Sequence, residues 1–219
     1  AVAPVRILIC VAVGEPAKED VLFAGRLVRH LGAEATIMTV LGALSLGRGD
    51  GPGGGGHRTH AGWRAGAIVM GAPTTEAKRK LSAERPGRGV EFVYDEARHL
   101  AAYLYARTLV QGRDVLDAGC GEGFGTVLLA DQARYVLGVD YAAEPIATAR
   151  AAYPRPALEF RQLDVHELPQ LERRFDLVTN FQVIEHLPDP VRFLRAVRGV
   201  LAPAGQLMLT TPNRLTSVS

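Results

Sequence analysis

Val115-Leu-Asp-Ala-Gly-Cys-Gly-Glu-Gly-Phe-Gly125 decides the fold. An apolar run that ends in glycines and opens the helix predicted for Phe124–Ala133 is a buried strand entering a helix through a glycine loop. That is the context a ligand-cradling βα turn requires. Glycines let a backbone approach a ligand closely and take positive φ. The spacing departs from the G-x-G-x-x-G of dinucleotide enzymes: after Gly119 and Gly121 the third glycine falls due at a position held by Phe124. Glu122 lies inside the loop, where it would oppose a pyrophosphate. The expected ligand lacks phosphate, and NAD-dependent redox chemistry is disfavoured.

Outward from the loop, βα alternation is regular. Strands are predicted at Asp114–Ala118, Val136–Val139, Ala157–Gln162, Phe175–Phe181 and Gln206–Thr211, with further helices at Ala143–Tyr153 and Pro190–Leu201. A lead-in helix runs from Asp95 to Val110, with Ala97, Leu100, Ala101, Leu104 and Leu109 as its apolar stripe. Strands alternating with helices predict an α/β fold, a parallel sheet covered on both faces. Upstream, Val5–Val13, Thr36–Leu41 and Ala67–Met70 read as strands and Ala17–Leu31 as an amphipathic helix. Gly47–Gly56 is glycine-saturated and predicts a flexible loop. Thr74–Gly89 is polar, a linker or surface helix.

Carboxylates follow successive strands. Asp140 closes the second, about twenty residues beyond the loop, where it can accept from both hydroxyls of a ribose or cap the helix that follows. Asp164 follows the third, where it can accept from an adenine amino group while the next backbone N–H meets a ring nitrogen; the other reading is a plain turn aspartate.

These segments resemble the class I S-adenosylmethionine-dependent methyltransferases, over about residues 84–213. Asp117-Ala-Gly-Cys-Gly-Glu-Gly resembles their first motif, Gly138-Val-Asp-Tyr141 the second and Leu163-Asp-Val165 the third. Phe175 to Pro190 is similar to the fourth-strand segment of the ubiquinone-biosynthesis-like branch. Leu201 to Asn213 is similar to the helix-turn-strand after it. The resemblance implies a Rossmann-like, doubly wound, mostly parallel sheet and S-adenosylmethionine as co-substrate, with no metal. It implies that Asp117, Gly119 and Gly121, with Ala118 and Cys120 between them, hold the methionine portion. Asp140 beside Tyr141 would hold the ribose, Asp164 and Val165 the adenine, and Asn180 would line the donor pocket. Family members usually continue past the fifth strand, so this sheet is expected to be truncated there.

His186 lies just after the fourth strand and could deprotonate a hydroxyl acceptor; the other reading is a residue of the strand-helix turn. Glu185 reads as structural. Tyr94, His99 and Tyr103 ride on the lead-in helix, His99 and Tyr103 on one face, where they either close over the donor or pack.

Residues 1–73 are similar to universal stress protein domains, in degenerate form: Gly14 stands where that family has an acidic residue, and the later nucleotide motif is absent after Gly71. The expected division is therefore a small α/β appendage at 1–73, a linker at 74–89 and a donor-binding domain at 90–219.

Composition agrees with an enzyme handling a small molecule. Of 219 residues, 47% are hydrophobic and 22% charged, and Lys+Arg 25 against Asp+Glu 23 leaves +2. So small an excess argues against a nucleic-acid or anionic-membrane partner. Two cysteines, Cys10 and Cys120, make no disulfide framework, which fits a reducing cytosol. No stretch approaches the roughly 20 apolar residues of a membrane span, and Val5–Val13 lacks the flanks of a signal peptide. The expected activity is methyl transfer from S-adenosylmethionine to a small-molecule acceptor, oxygen preferred over nitrogen. The alternative is a catalytically weak donor-binding or regulatory protein with a stress-protein-like assembly segment.

Overall fold

The computed structural model describes residues 6–12, 34–42, 64–70 and 90–211, with side-chain surroundings from His99 to Thr211. The strands are β1 (Arg6–Ala12), β2 (Glu34–Gly42), β3 (Arg64–Met70), β4 (Asp114–Ala118), β5 (Tyr135–Asp140), β6 (Leu158–Gln162), β7 (Phe175–Phe181) and β8 (Leu201–Thr211). The helices are α1 (Val90–Arg107), α2 (Phe124–Ala130), α3 (Ala143–Ala152) and α4 (Pro190–Val200). All pair into one sheet of order β3-β2-β1-β8-β7-β4-β5-β6, every neighbouring pair parallel. From β4 the chain winds outward to β5 and β6, then crosses back to β7 and β8. The switch point between β4 and β7 opens a crevice at their carboxyl ends, where such sheets bind ligands.

Alternation along the strands sorts the two faces. Leu116, Ala118, Leu137, Val139, Val178, Leu207 and Leu209 join Phe193, Leu194, Val197 and Val200 of α4. Val115, Val136, Leu177, Phe181 and Met208 join Tyr103, Ala106, Leu129, Ile146 and Ala149 of the other three helices. Each such leucine or phenylalanine buried is worth about 1.5–3 kcal/mol. Helix α4 starts where it does because Asp189 Oδ1 accepts the Arg192 N–H at 2.8 Å and Pro190 sits in the first turn, needing no donor.

Four differences from the sequence reading have physical causes. The stripe of α1 is rotated: Leu100, Ala102, Tyr103 and Ala106 are buried, whereas Ala101, Leu104 and Leu109 are half-buried. The face is set by the Tyr103 hydroxyl, which has a buried carboxylate to meet. The chain also makes 3₁₀ turns at Val165–Leu171 and Ile184–His186, too short to carry a hydrophobic period. Strand β8 begins earlier than Gln206, at Leu201, but its ladder with β7 slips between Leu201 and Gln206. Pro203 has no N–H to donate there and Ala204 has φ 64°.

Finally, the sheet does not stop at β8. Expected as an appendage, the N-terminal segment supplies strands to the same sheet: β1 lies along β8 from Arg6 opposite Gln206 to Val11 opposite Thr211. The outer N–H and C=O groups of β8 are thereby paired rather than left as an open edge. The predicted helix at 17–31, the glycine loop at 47–56, the linker at 74–89 and Tyr94's side chain lie outside the described residues. Among the described residues, no helix is long and apolar enough to cross a membrane.

Candidate active site

Asp117 is the fourth residue of β4 and follows Val115 on one face, so its side chain enters the face that carries α1 and α2. It is 1% exposed. Thr179, its register partner on β7, donates to Oδ1 at 2.8 Å. Thr126 from α2 and Tyr103 from α1 donate to Oδ2 at 2.7 and 3.0 Å. Burial pushes the carboxyl's pKa up, and the donors Thr126, Thr179 and Tyr103 pull against it. Burial also raises the Tyr103 phenol, with the Asp117 charge adding to it. The carboxylate is thus saturated by hydroxyls behind the glycine loop. Its geometry is that of a hub that pins β4, β7, α1 and α2 together, rather than a group turned toward the methionine end of a ligand.

The loop itself is built from positive-φ glycines: φ is 88° at Gly119 and 52° at Gly121. A Cβ on Gly119 would meet Val183 Cγ2 at 2.4 Å, whereas one on Gly121 would meet nothing within 4 Å. So Gly119 is small because protein crowds it, and Gly121 leaves open space beside the loop. Cys120 is buried, its thiol pushed well up by burial and by Asp117 and Asp140.

Asp140 joins the loop to the next βα turn. Its Oδ2 accepts the Gly121 N–H at 3.0 Å and its Oδ1 the Ala142 N–H at 3.0 Å. It therefore braces the turn before α3 without capping the helix, since the N-cap residue is Ala142. Each oxygen keeps a lone pair for a further donor. Asp164 is the N-cap of the first 3₁₀ turn, its Oδ1 accepting the His166 N–H at 2.8 Å; its pKa is lowered by that bond.

A cavity of about 450 Å³ lies at these strand ends, lined by Gly119, Asp140, Tyr141, Asp164, Val165, His166, Gln182, Val183, His186, Leu187 and Pro188. It brings together five of the predicted donor residues, Gly119, Asp140, Tyr141, Asp164 and Val165, with His186. Asp117, Ala118, Cys120 and Asn180 are buried behind it and Gly121 beside it. Asn180 is on the opposite face from Asp117. Its Nδ2 donates to the Ala118 carbonyl at 2.8 Å, and among the described residues no donor reaches its buried Oδ1. A second recess, lined by Arg150, Tyr153, Pro154, Arg155, Leu158, Glu159 and Phe160, holds none of these residues.

Several site residues carry no local sequence signal. Tyr103, Thr126 and Thr179 meet Asp117 only in space. Gln182 stands at the end of β7 with φ 57°, its N–H donating to the Thr210 carbonyl at 3.1 Å and its Nε2 to Thr210 Oγ1 at 3.1 Å. Strain of that kind concentrates at functional sites. His166 spans two segments: its Nδ1 is 2.8 Å from Asp164 Oδ1 and its Nε2 3.1 Å from the Asp189 carbonyl. His99 holds the Phe181 carbonyl with Nε2 at 3.2 Å.

A glycine loop, then, leads into carboxylates at consecutive strand ends on a doubly wound sheet. Comparison with known proteins finds the same kind of chain in methyltransferases. Residues 116–209 match the family described as "Methyltransferase domain". A "Probable S-adenosylmethionine-dependent methyltransferase" of Mycolicibacterium smegmatis is 44% identical over 137 residues, 62% of this chain and 52% of that protein. One from Mycobacterium tuberculosis is 47% identical over 119 residues, 54% of this chain and 43% of that protein. The ubiquinone biosynthesis O-methyltransferase of Pseudomonas paraeruginosa is 34% identical over 115 residues, 51% of this chain and 50% of the relative. A solved S-adenosylmethionine-dependent methyltransferase from Mesorhizobium loti aligns with TM-score 0.44 at 28% identity, over 50% of this chain and 52% of that one. The chain spans about half the length of the relatives it matches. The segment 116–209 is thus similar to methyltransferase domains, and the relatives it matches are named as S-adenosylmethionine-dependent or O-methyltransferases.

The residues present fit that donor. Gly121 leaves space where a side chain would intrude, Asp140 and Asp164 offer free lone pairs to hydroxyl and amino donors, and among the described residues no donor reaches Asn180 Oδ1. Among the described residues no group of three or more His, Cys, Asp or Glu is placed to hold a metal ion.

Proposed function

We propose that this chain transfers a methyl group from S-adenosylmethionine to a small-molecule acceptor, an oxygen in preference to a nitrogen. The observation that carries the reading is the shared cavity: Asp140, Tyr141, Asp164, Val165 and His186, from three successive strand ends, line one recess beside the glycine loop. Asp140 accepts from ribose hydroxyls, and Asp164 with the Val165 N–H reads the adenine edge. Gly119 and Gly121 let the methionine portion lie against the loop. The donor, when bound, supplies a methyl group on a positively charged sulfur. The protein's part is to align the acceptor with that carbon and exclude water, which supplies much of the rate. His186 is exposed and lines the cavity, so a ring nitrogen can take the proton from an acceptor hydroxyl.

In the same reading, residues 90–219 form the donor-binding part, 74–89 a linker, and 1–73 a universal stress protein-like segment whose strands β1–β3 extend the same sheet. The free, buried Cys120 fits a reducing cytosol.

Titration calorimetry with S-adenosylmethionine and S-adenosylhomocysteine tests the reading. Both should bind, and Asp140→Ala should weaken binding by about 1.5–3 kcal/mol, the range for hydrogen bonds to a charged group. A chain that binds neither overturns it.

A further inference from the structure

We propose that His166 is a positioning residue of the donor cavity. Its ring, in contact at both nitrogens, bridges Asp164 to the backbone of Asp189, tying the segment after β6 to the segment after β7. The proposal rests on the reading of the cavity as a donor site.

The geometry is specific about protons. Nδ1 lies 2.8 Å from a carboxylate oxygen of Asp164 and Nε2 lies 3.1 Å from the carbonyl oxygen of Asp189. Both partners offer only lone pairs, so neither can donate to the ring. A neutral imidazole carries one N–H and leaves one of the two contacts as lone pair against lone pair. An imidazolium carries two and satisfies both. The side chain is 8% exposed, which leaves water little access to substitute for the missing bond.

Both ends of the bridge are fixed. The backbone N–H of His166 donates to the same Asp164 oxygen as its ring, and among the described residues no hydrogen bond reaches the other oxygen, which stays available to a ligand. Asp189 caps α4 through Arg192 N–H, so the carbonyl that His166 holds belongs to an anchored helix start. Asp164 to His166 form one side of the cavity wall, and His186 to Pro188, just before Asp189, form the other. A bond from one to the other fixes the width of the recess. The charged or titratable groups around the ring are Asp164 itself, Arg192 acting on Asp164, and His186 and Asp140, which line the same cavity.

Calorimetric titration of S-adenosylhomocysteine tests this. His166→Asn keeps a donor toward Asp164 alone and should weaken binding by about tenfold, the order of one charge-assisted bond. His166→Ala, which removes both contacts, should weaken it at least as much. Wild-type affinity in both variants overturns the proposal. The bridge is also read without ligand by nitrogen-15 spectroscopy. Both ring N–H protons of His166 should be visible and protected from exchange at pH 6, and a protected signal from only one of them, or from neither, overturns it. Failure of the wild type to bind at all would sink the donor-site reading, with the spectrum still deciding the bridge.

Discussion

The phenol of Tyr103 and the carboxylate of Asp117 meet at 3.0 Å inside the protein, and the ring of Tyr103 fills the space in which a Cβ on Gly125 would lie, 2.0 Å from Cε2. The same ring stands edge-on to Phe181 at 4.8 Å. One side chain of α1 thereby fixes the helix against both the glycine loop and the end of β7.

Tyr103→Phe keeps the ring and removes a donor from a buried charge. It should destabilise the fold by about 1.5–3 kcal/mol in denaturant titration. Gly125→Ala should cost at least as much, because the added methyl must displace a buried ring that packs edge-on against Phe181. If both variants unfold at the wild-type midpoint, the hub is not holding α1.

The two loop glycines should respond differently. Gly119→Ala meets Val183 and a φ of 88°, so it should lower stability and donor affinity together. Gly121→Ala meets open space; its strain is that of a left-handed residue alone, about 1–2 kcal/mol, and its larger effect should be on S-adenosylhomocysteine affinity. Chemical denaturation beside calorimetry separates the two. Equal binding losses at equal stability would contradict the assignment of that open space to a ligand.

His186→Ala should leave donor affinity near wild type while slowing transfer to a hydroxyl acceptor by roughly 10²–10⁴-fold. The loss should shrink as pH rises and the acceptor ionises unaided. A wild-type single-turnover rate at neutral pH would remove the base and leave positioning alone.

At the amino ends of the strands, Asp114 binds Arg134 at 2.7 Å and Arg173 at 3.0 Å. The Arg134 hydrogen bond, and then that of Arg173, lower its pKa below the ordinary 3.8. A carboxyl depressed in the fold contributes stability that is present above its unfolded pKa and is lost as pH falls through the folded one. Asp117 acts in the opposite sense: its raised pKa means that protonation on acidification favours the fold. Thermal melts of Asp114→Asn and wild type should therefore differ most near neutral pH and converge toward pH 2. A constant difference across that range would refute the linkage.

The strands that carry the site were legible because each is a short apolar run closed by glycine or aspartate, and a buried parallel strand needs nothing else. Asp140 and Asp164 were legible for the same reason, as carboxylates at predictable strand ends. What was not legible is cooperative in space. Asp117 reads as a ligand residue in the motif; only the pairing of β4 with β7 shows Thr179 opposite it. The bridge from His166 to Asp189 joins two segments whose separation is set by a sheet crossing. Likewise, nothing local in Arg6–Ala12 says that its neighbour is β8, because apolar strands specify a buried place in a sheet without naming the partner.

That last pairing has a consequence for synthesis. β1 is synthesised before β8, the strand on its inner side and the last one described. Until β8 is made, β1 can find β2 and β3 but not the rest of the sheet, so its inner hydrogen-bonding edge is exposed throughout elongation. Closing a loop that encloses nearly the whole described chain makes this a late and slow step. The nascent protein accordingly passes through a stage in which a three-stranded fragment, with the inner edge of β1 still unpaired, coexists with a partly assembled domain. That stage is where chaperone binding or intermolecular strand exchange would compete with folding.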